Sequence, residues 1–203
     1  MDFRSLLPLR PRAPEAYDEA KAAEIAAFFV IREGGSADIL KLAKLMYLAE
    51  RESFKRYGGP LTGDRLTSMK DGPVLSETLN HIREHGRRPR YWAELFSTRD
   101  GNALSLQQTD LSEDALRHLS DADIGLLKHI WDKFGPMSPG EIWRYVHTKT
   151  NVPEYEDPGS SSRPIKLRVL LNNLDYSEEQ SKAILKRIEE ENEFHAALRK
   201  AAR

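Results

Sequence analysis

Asp38-Ile39-Leu40-Lys41-Leu42-Ala43-Lys44-Leu45-Met46-Tyr47-Leu48-Ala49-Glu50-Arg51, running on to Tyr57 and into Gly58-Gly59-Pro60-Leu61-Thr62-Gly63-Asp64, decides the fold class. Ile39, Leu42, Met46 and Ala49 recur at spacings of three and four, so the segment reads as a helix with one apolar stripe. Ser36 or Asp38 can cap its start. Lys41, Lys44, Glu50 and Arg51 are expected to decorate the rest of its surface. The glycines and proline of 58–64 then force a turn. Arg65 to Met69 alternates as a short strand, and Asp71-Gly72-Pro73 is expected to close it with a second tight turn.

Working outward, Ala16 to Glu33 is rich in helix formers and apolar almost all round in its second half, so a buried helix precedes Gly34-Gly35. Residues 1–15 carry three Arg and are broken by Pro8, Pro11 and Pro14. They read as an irregular arm, with 16–203 as the helical domain. Downstream, Ser76 opens a short helix ending at Gly86. Tyr91–Thr98 and Ala103–Gln108 flank Arg99-Asp100-Gly101-Asn102, whose Asp-Gly predicts a hairpin. Helix returns from Ser112 to Phe134, with Asp121 to Asp123 as a place where it can break. Ser138-Pro139-Gly140-Glu141 is a capping box with Pro at the first helical position. A loop follows from Thr150 to about Pro164, and a last charged helix runs from Ser177 to Ala202. The expected fold is therefore mainly α, about six helices with one or two small inserted β-hairpins, in a single compact domain.

Composition narrows the function classes. Lys plus Arg total 31 against 32 for Asp plus Glu, so a strongly basic surface for non-specific nucleic-acid or membrane binding is not expected. The absence of cysteine removes disulfides, thiolate metal sites and a thiol nucleophile. Neither a signal peptide nor the roughly 20 apolar residues of a membrane span is found, which predicts a cytoplasmic protein.

Few residues suggest chemistry. His81-Ile82-Arg83-Glu84-His85 matches the H-x-x-E-H pattern of inverted zinc peptidases, where two His one helical turn apart bind metal and the Glu activates water. A helix ending at Gly86 leaves little room for it. His118, His129, His147 and His195 lack ligand-spaced neighbours, and Ser160–Ser162 lack a nucleophile elbow. Arg87-Arg88-Pro89-Arg90 followed by Tyr91 and Trp92 is the nucleic-acid candidate, since Arg can grip phosphate while aromatics stack. A solvated loop leading to core aromatics is the simpler reading. The expectation is a binding protein with no catalytic residue, cofactor or metal.

The 42–74 stretch adds a resemblance. Its Lys44-Leu45-Met46-Tyr47-Leu48-Ala49-Glu50, Gly58-Gly59-Pro60-Leu61-Thr62-Gly63-Asp64 and Gly72-Pro73-Val74 are similar to the K-L-x-Y-x-A-(D/E), G-x-P-(I/L)-x-G-D and G-P-V motifs of SocA-like proteins, the Panacea antitoxin domain. Val152-Pro153-Glu154-Tyr155-Glu156-Asp157-Pro158 resembles the family's P-E-W-x-(D/N)-P segment, with Tyr155 in place of Trp and Leu66 in place of a common aromatic. The resemblance covers roughly residues 20–190. It implies an antitoxin that neutralises a toxin encoded by an adjacent gene through a direct complex, or that delivers it to a cytoplasmic protease. The surfaces expected to meet that partner are Phe3, Leu6 and Leu7 on the arm, Arg65, Lys70 and Asp71 at the hairpin, and Tyr155 and Arg163 in the long loop. The alternatives are a DNA-binding regulator using Arg87, Arg88 and Arg90, and a zinc hydrolase built on His81, Glu84 and His85.

Overall fold

In the computed structural model, which describes residues 14, 16–85 and 88–201 (the Arg199 side chain excepted), Asp18 starts the first helix by accepting from the Lys21 amide. This helix, α1 (Glu19–Arg32), is buried from Ala22 to Val30 because its small alanines allow neighbours to approach on every side. A short strand, β1 (Ser36–Asp38), leads directly into α2 (Ile39–Tyr57), capped by Asp38 through the Lys41 amide. Gly58 closes α2 in the left-handed conformation that glycine adopts without steric cost.

The hairpin follows as β2 (Leu66–Met69) and β3 (Gly72–Leu75), paired from Leu66 with Leu75 to Met69 with Gly72. Its turn is Lys70–Asp71, which starts one residue before the expected Asp71-Gly72-Pro73 corner and leaves Gly72 and Pro73 in the strand. Pro73 lies inside β3, which it can do because β3 is an edge strand and needs no amide from it. Next come α3 (Ser76–Ile82), α4 (Arg90–Leu95), β4 (Ala103–Ser105) and a 3-10 turn at Glu113–Ala115. The remaining elements are α5 (Asp121–Phe134), α6 (Pro139–His147), β5 (Ser162–Pro164), α7 (Leu167–Asn173) and α8 (Glu178–Ala201).

The protein is mainly helical, as expected, but eight α-helices are present among the described residues rather than about six. One is α4, where a strand over Tyr91–Thr98 was expected: Pro89 precedes it, and Trp92 turns inward to full burial. The Asp100–Gly101 turn exists, yet its first arm is reduced to a bridge from Phe96 to Leu106. The strand after it, β4, pairs with β1 instead. Another is α7, hidden in sequence because it is only seven residues long. The 112–134 helix is replaced up to Ser120 by the 3-10 turn and extended chain, because Ser120 and Asp123 form a complete capping box that starts α5 afresh. The end of the expected 150–164 loop is β5, which adds to β2 to give the sheet order β3-β2-β5.

At the centre lies α2, packed against α1, α5, α6, α7 and the hairpin. Phe28, Phe29, Leu42, Leu45, Met46, Trp92 and Leu127 belong to one continuous core around it.

Candidate functional site

Because α2 is enclosed along most of its length, its charged residues as far as Glu50 are inside too. This corrects the expectation that Lys41, Lys44 and Glu50 decorate the surface: they are 7%, 1% and 0% exposed. Each burial is compensated by a specific partner, as a buried charge requires. Lys44 donates through Nζ to the Pro73 carbonyl at 3.1 Å. One turn on, Tyr47 donates to Glu154 Oε1 at 2.8 Å, and Arg51 Nε reaches the same oxygen at 2.6 Å. At the next turn the Glu50 carboxylate accepts from the Leu61 amide (3.1 Å), the Thr62 amide (2.9 Å) and the Thr62 hydroxyl (2.8 Å).

Three residues at three-residue spacing therefore hold three separate segments: the β2–β3 hairpin, the 152–155 loop and the 58–64 turn. Burial pushes the Lys44 ammonium down to about 7. Burial also pushes Glu50 up to about 7, against the three hydrogen bonds donated to it.

Asp64 extends the arrangement. The first residues of α3 have no side-chain cap of their own. Asp64 supplies one from a distance, accepting from the Glu77 amide at 3.0 Å and the Thr78 amide at 2.7 Å. Gly63 beside it has φ +73°, and a Cβ there would lie 2.4 Å from the Ala16 carbonyl oxygen. Gly72 has φ +102°, where a Cβ would meet Lys44 Nζ at 3.0 Å. Both glycines permit a close approach that no side chain would allow.

These tied segments are the ones that carry the motifs, and the comparison with protein families agrees: the model of the SocA-like antitoxins, the Panacea domain, matches residues 42–151, more than half of the chain. The chain belongs to the SocA-like antitoxin family. The matched region is narrower than the 20–190 span of the resemblance and stops just before Glu154. No curated protein and no solved structure matches the chain.

Within this Panacea domain, five of the eight expected partner residues come together around the β3-β2-β5 sheet. Lys70 and Asp71 form the exposed hairpin turn. Arg65 enters β2 and pairs with Glu77 of α3. Arg163 sits on β5 opposite Ser68 and pairs with Glu156 at 3.0 Å. Tyr155 is only 4% exposed and works from below: its hydroxyl donates to the Met69 carbonyl at 3.1 Å and meets His147 Nε2 at 3.1 Å. Phe3, Leu6 and Leu7 lie outside the described residues.

Two concave surfaces flank the sheet. A cleft of about 450 Å³ lies between β2 and α3, lined by Arg65, Thr67, Met69, Asn80 and Arg83 among others. A more apolar pocket of about 210 Å³ lies on the other side of Arg65 and Pro164, among Phe54, Leu66, Ile165 and Ile188.

The H-x-x-E-H pattern does not assemble in this Panacea domain. α3 ends at Ile82, and Glu84 has φ +57°, so the second His is not on the helix of the first. His81 stacks on Tyr17 and lies tilted against Trp92, and burial, then Arg88, pushes its imidazole down to about 4. Among the described residues no group of three or more His, Asp or Glu is placed to hold a metal. Of the arginine run, Arg87 lies outside the described residues. Arg88 turns inward to the Ser97 carbonyl and Glu84, and Arg90 pairs with Glu94 on its own helix. Among the described residues no helix is long and apolar enough to cross a membrane.

The buried polar residues are what sequence reasoning missed. A signal for them existed. Apolar residues occupy α2 on more than one face, which leaves no solvent side for Lys44 and Glu50 to occupy.

Proposed function

We propose that this chain is the antitoxin of a toxin–antitoxin pair, neutralising the product of an adjacent gene by direct complex formation, without a catalytic residue or cofactor. Membership of the SocA-like antitoxin family carries the reading. The arrangement of the motif supports it: Lys44, Tyr47, Glu50 and Asp64 all bind segments of their own chain, which makes the motif a scaffold rather than a reactive centre. What the scaffold presents outward is the hairpin side, with Lys70 and Asp71 at the turn and Arg65 and Arg163 on either flank. We assign these four residues to the toxin interface, with Tyr155 acting from beneath by fixing the turn. The apolar arm residues Phe3, Leu6 and Leu7 are assigned to the same interface.

Co-expression tests this. Induction of the adjacent gene in a bacterial host should arrest growth, and this chain should restore it and co-purify with the toxin. A toxin that still kills when both are expressed, or that shows no complex, overturns the reading. Following toxin abundance separates two routes: occlusion leaves the level constant, whereas delivery to a protease lowers it.

A further inference from the structure

Three concavities on the hairpin side meet at one residue. Arg83, the C-terminal cap of α3, lines the 450 Å³ cleft between β2 and α3. It also lines a pocket of about 150 Å³ beneath the hairpin turn, with Lys44, Asp71 and Ser160. The third is a pocket of about 310 Å³ at the start of α2, with Asp38, Arg99 and Trp143.

Among the described residues the Arg83 guanidinium takes part in no hydrogen bond or ion pair. The carboxylates nearest in the fold are mostly committed elsewhere: Glu77 to Arg65, and Asp38 to the Lys41 amide that it caps. Asp71 shares two of the pockets without pairing to Arg83. The neighbouring Lys44 is a like charge, reduced by its burial and partly offset by Asp71. A half-buried guanidinium without a partner is unusual, because the fork of donors favours a planar acceptor.

We propose that Arg83 is the anchor for a carboxylate of the partner toxin, an Asp or Glu side chain on a segment laid into the cleft between β2 and α3. This rests on the antitoxin reading and names the chemistry that the interface recognises. A carboxylate suits the site better than a nucleic-acid backbone, since Glu77, Asp71 and Asp38 interrupt the basic residues and a phosphate track needs a continuous stripe. The cleft volume admits a few side chains, as expected of one interface anchor.

The test is the affinity of the full chain for the purified product of the adjacent gene, measured with wild type, Arg83→Gln, Arg83→Lys and Arg83→Glu. Arg83→Gln should weaken binding at least tenfold and Arg83→Glu at least thirtyfold, with Arg83→Lys between wild type and Arg83→Gln. Thermal unfolding should be unchanged, because the Arg83 side chain makes no hydrogen bond or ion pair among the described residues and its backbone bond to the Leu79 carbonyl survives each substitution. A single Asp→Lys or Glu→Lys change on the toxin should restore binding to Arg83→Glu. Affinities of Arg83→Gln and Arg83→Glu within twofold of wild type overturn the proposal while leaving the antitoxin reading intact. Wild type that fails to bind the toxin overturns both. Toxin binding that survives in Arg83→Glu while binding to duplex DNA from the upstream region is lost would transfer Arg83 to nucleic acid and overturn the proposal.

Discussion

α2 and α8 are the two longest helices, 19 and 24 residues, and in sequence both carry dense charge on an amphipathic repeat. Their charges do opposite work. On α8 they meet mostly in water: Glu178 with Lys182, Lys186 with Glu190, Arg187 with Glu191, all at i,i+4 and all at least half exposed, with Arg187 alone also reaching off the helix to the Gly58 carbonyl. On α2, as far as Arg51, the charges leave the helix to hold other segments, and only the last turns repeat the α8 pattern, with Arg56 paired to Glu52 at i,i+4. Lys44 reaches the hairpin, Arg51 the 152–155 loop and Glu50 the 58–64 turn, across sequence separations of 11 to 103 residues. The cause is position. α8 leans on the rest of the fold through Ile184, Leu185 and Ile188, so most of its circumference faces solvent. α2 has no such side before its last turn, where Lys55, Arg56 and Tyr57 are exposed. Charge density in a helix therefore says little about exposure until the number of neighbouring elements is known.

The difference predicts very different costs for removing a carboxylate. Glu50→Ala would leave two buried amides and a buried hydroxyl without an acceptor, each costing about 1–3 kcal/mol. A total loss of about 4 kcal/mol is expected, read as a fall in the urea midpoint with an unchanged slope. A loss below about 1 kcal/mol would mean that water or a shifted loop replaces the carboxylate, and the scaffold role of the motif would fail with it.

A finer test uses pH. Glu50 is pushed up from 4.5 to about 7. Between those values the folded protein holds a proton that the unfolded chain has released, so this residue makes stability fall as pH rises across the window. Lys44 is pushed down from 10.5 to about 7, so between about 7 and 10.5 the unfolded chain holds a proton that the folded protein lacks. Its contribution makes stability rise with pH. Each slope approaches about 1.4 kcal/mol per pH unit at most. The stability of wild type relative to Glu50→Gln should therefore decline from pH 4.5 to 7, and relative to Lys44→Met should climb from pH 7 upward. Parallel curves across both windows would show that these groups keep ordinary affinities despite their burial.

How much of this was legible in sequence follows from the same contrast. The helix over 39–57, with Asp38 as one of its two candidate caps, the capping box at Ser138 and the strand over 66–69 depend on near neighbours, and local pattern revealed them. The motif spacing also identified the family. The exchange of α4 for a strand had a different cause: Tyr91 and Trp92 favour either state, and contacts with distant residues such as Tyr91 to Glu24 are invisible locally. The placement of Arg65, Lys70, Asp71 and Arg163 on one side was anticipated only as separate surfaces. It took the pairing of β5 with β2, nearly a hundred residues apart, to join them. Glu154 shows the limit most clearly. Nothing in Val152-Pro153-Glu154-Tyr155 says that its glutamate is buried, because Tyr47 and Arg51 supply the reason from α2.

The smallest effect should come from α8. Glu178→Gln removes the Lys182 partner, but both side chains are more than 60% exposed, so the attraction is screened by water and salt and opposed by the entropy of holding two long side chains together. The melting temperature should move by no more than about 2 °C, and less in 0.5 M salt. Glu178 also lies in the first turn, where its charge favours the helix dipole, so any loss that does appear should shrink with salt in the same way. A salt-insensitive drop comparable to that of Glu50→Ala would place α8 inside an assembly, with the solvent side described above covered by another chain. The contrast between the two helices would then belong to the isolated protomer alone.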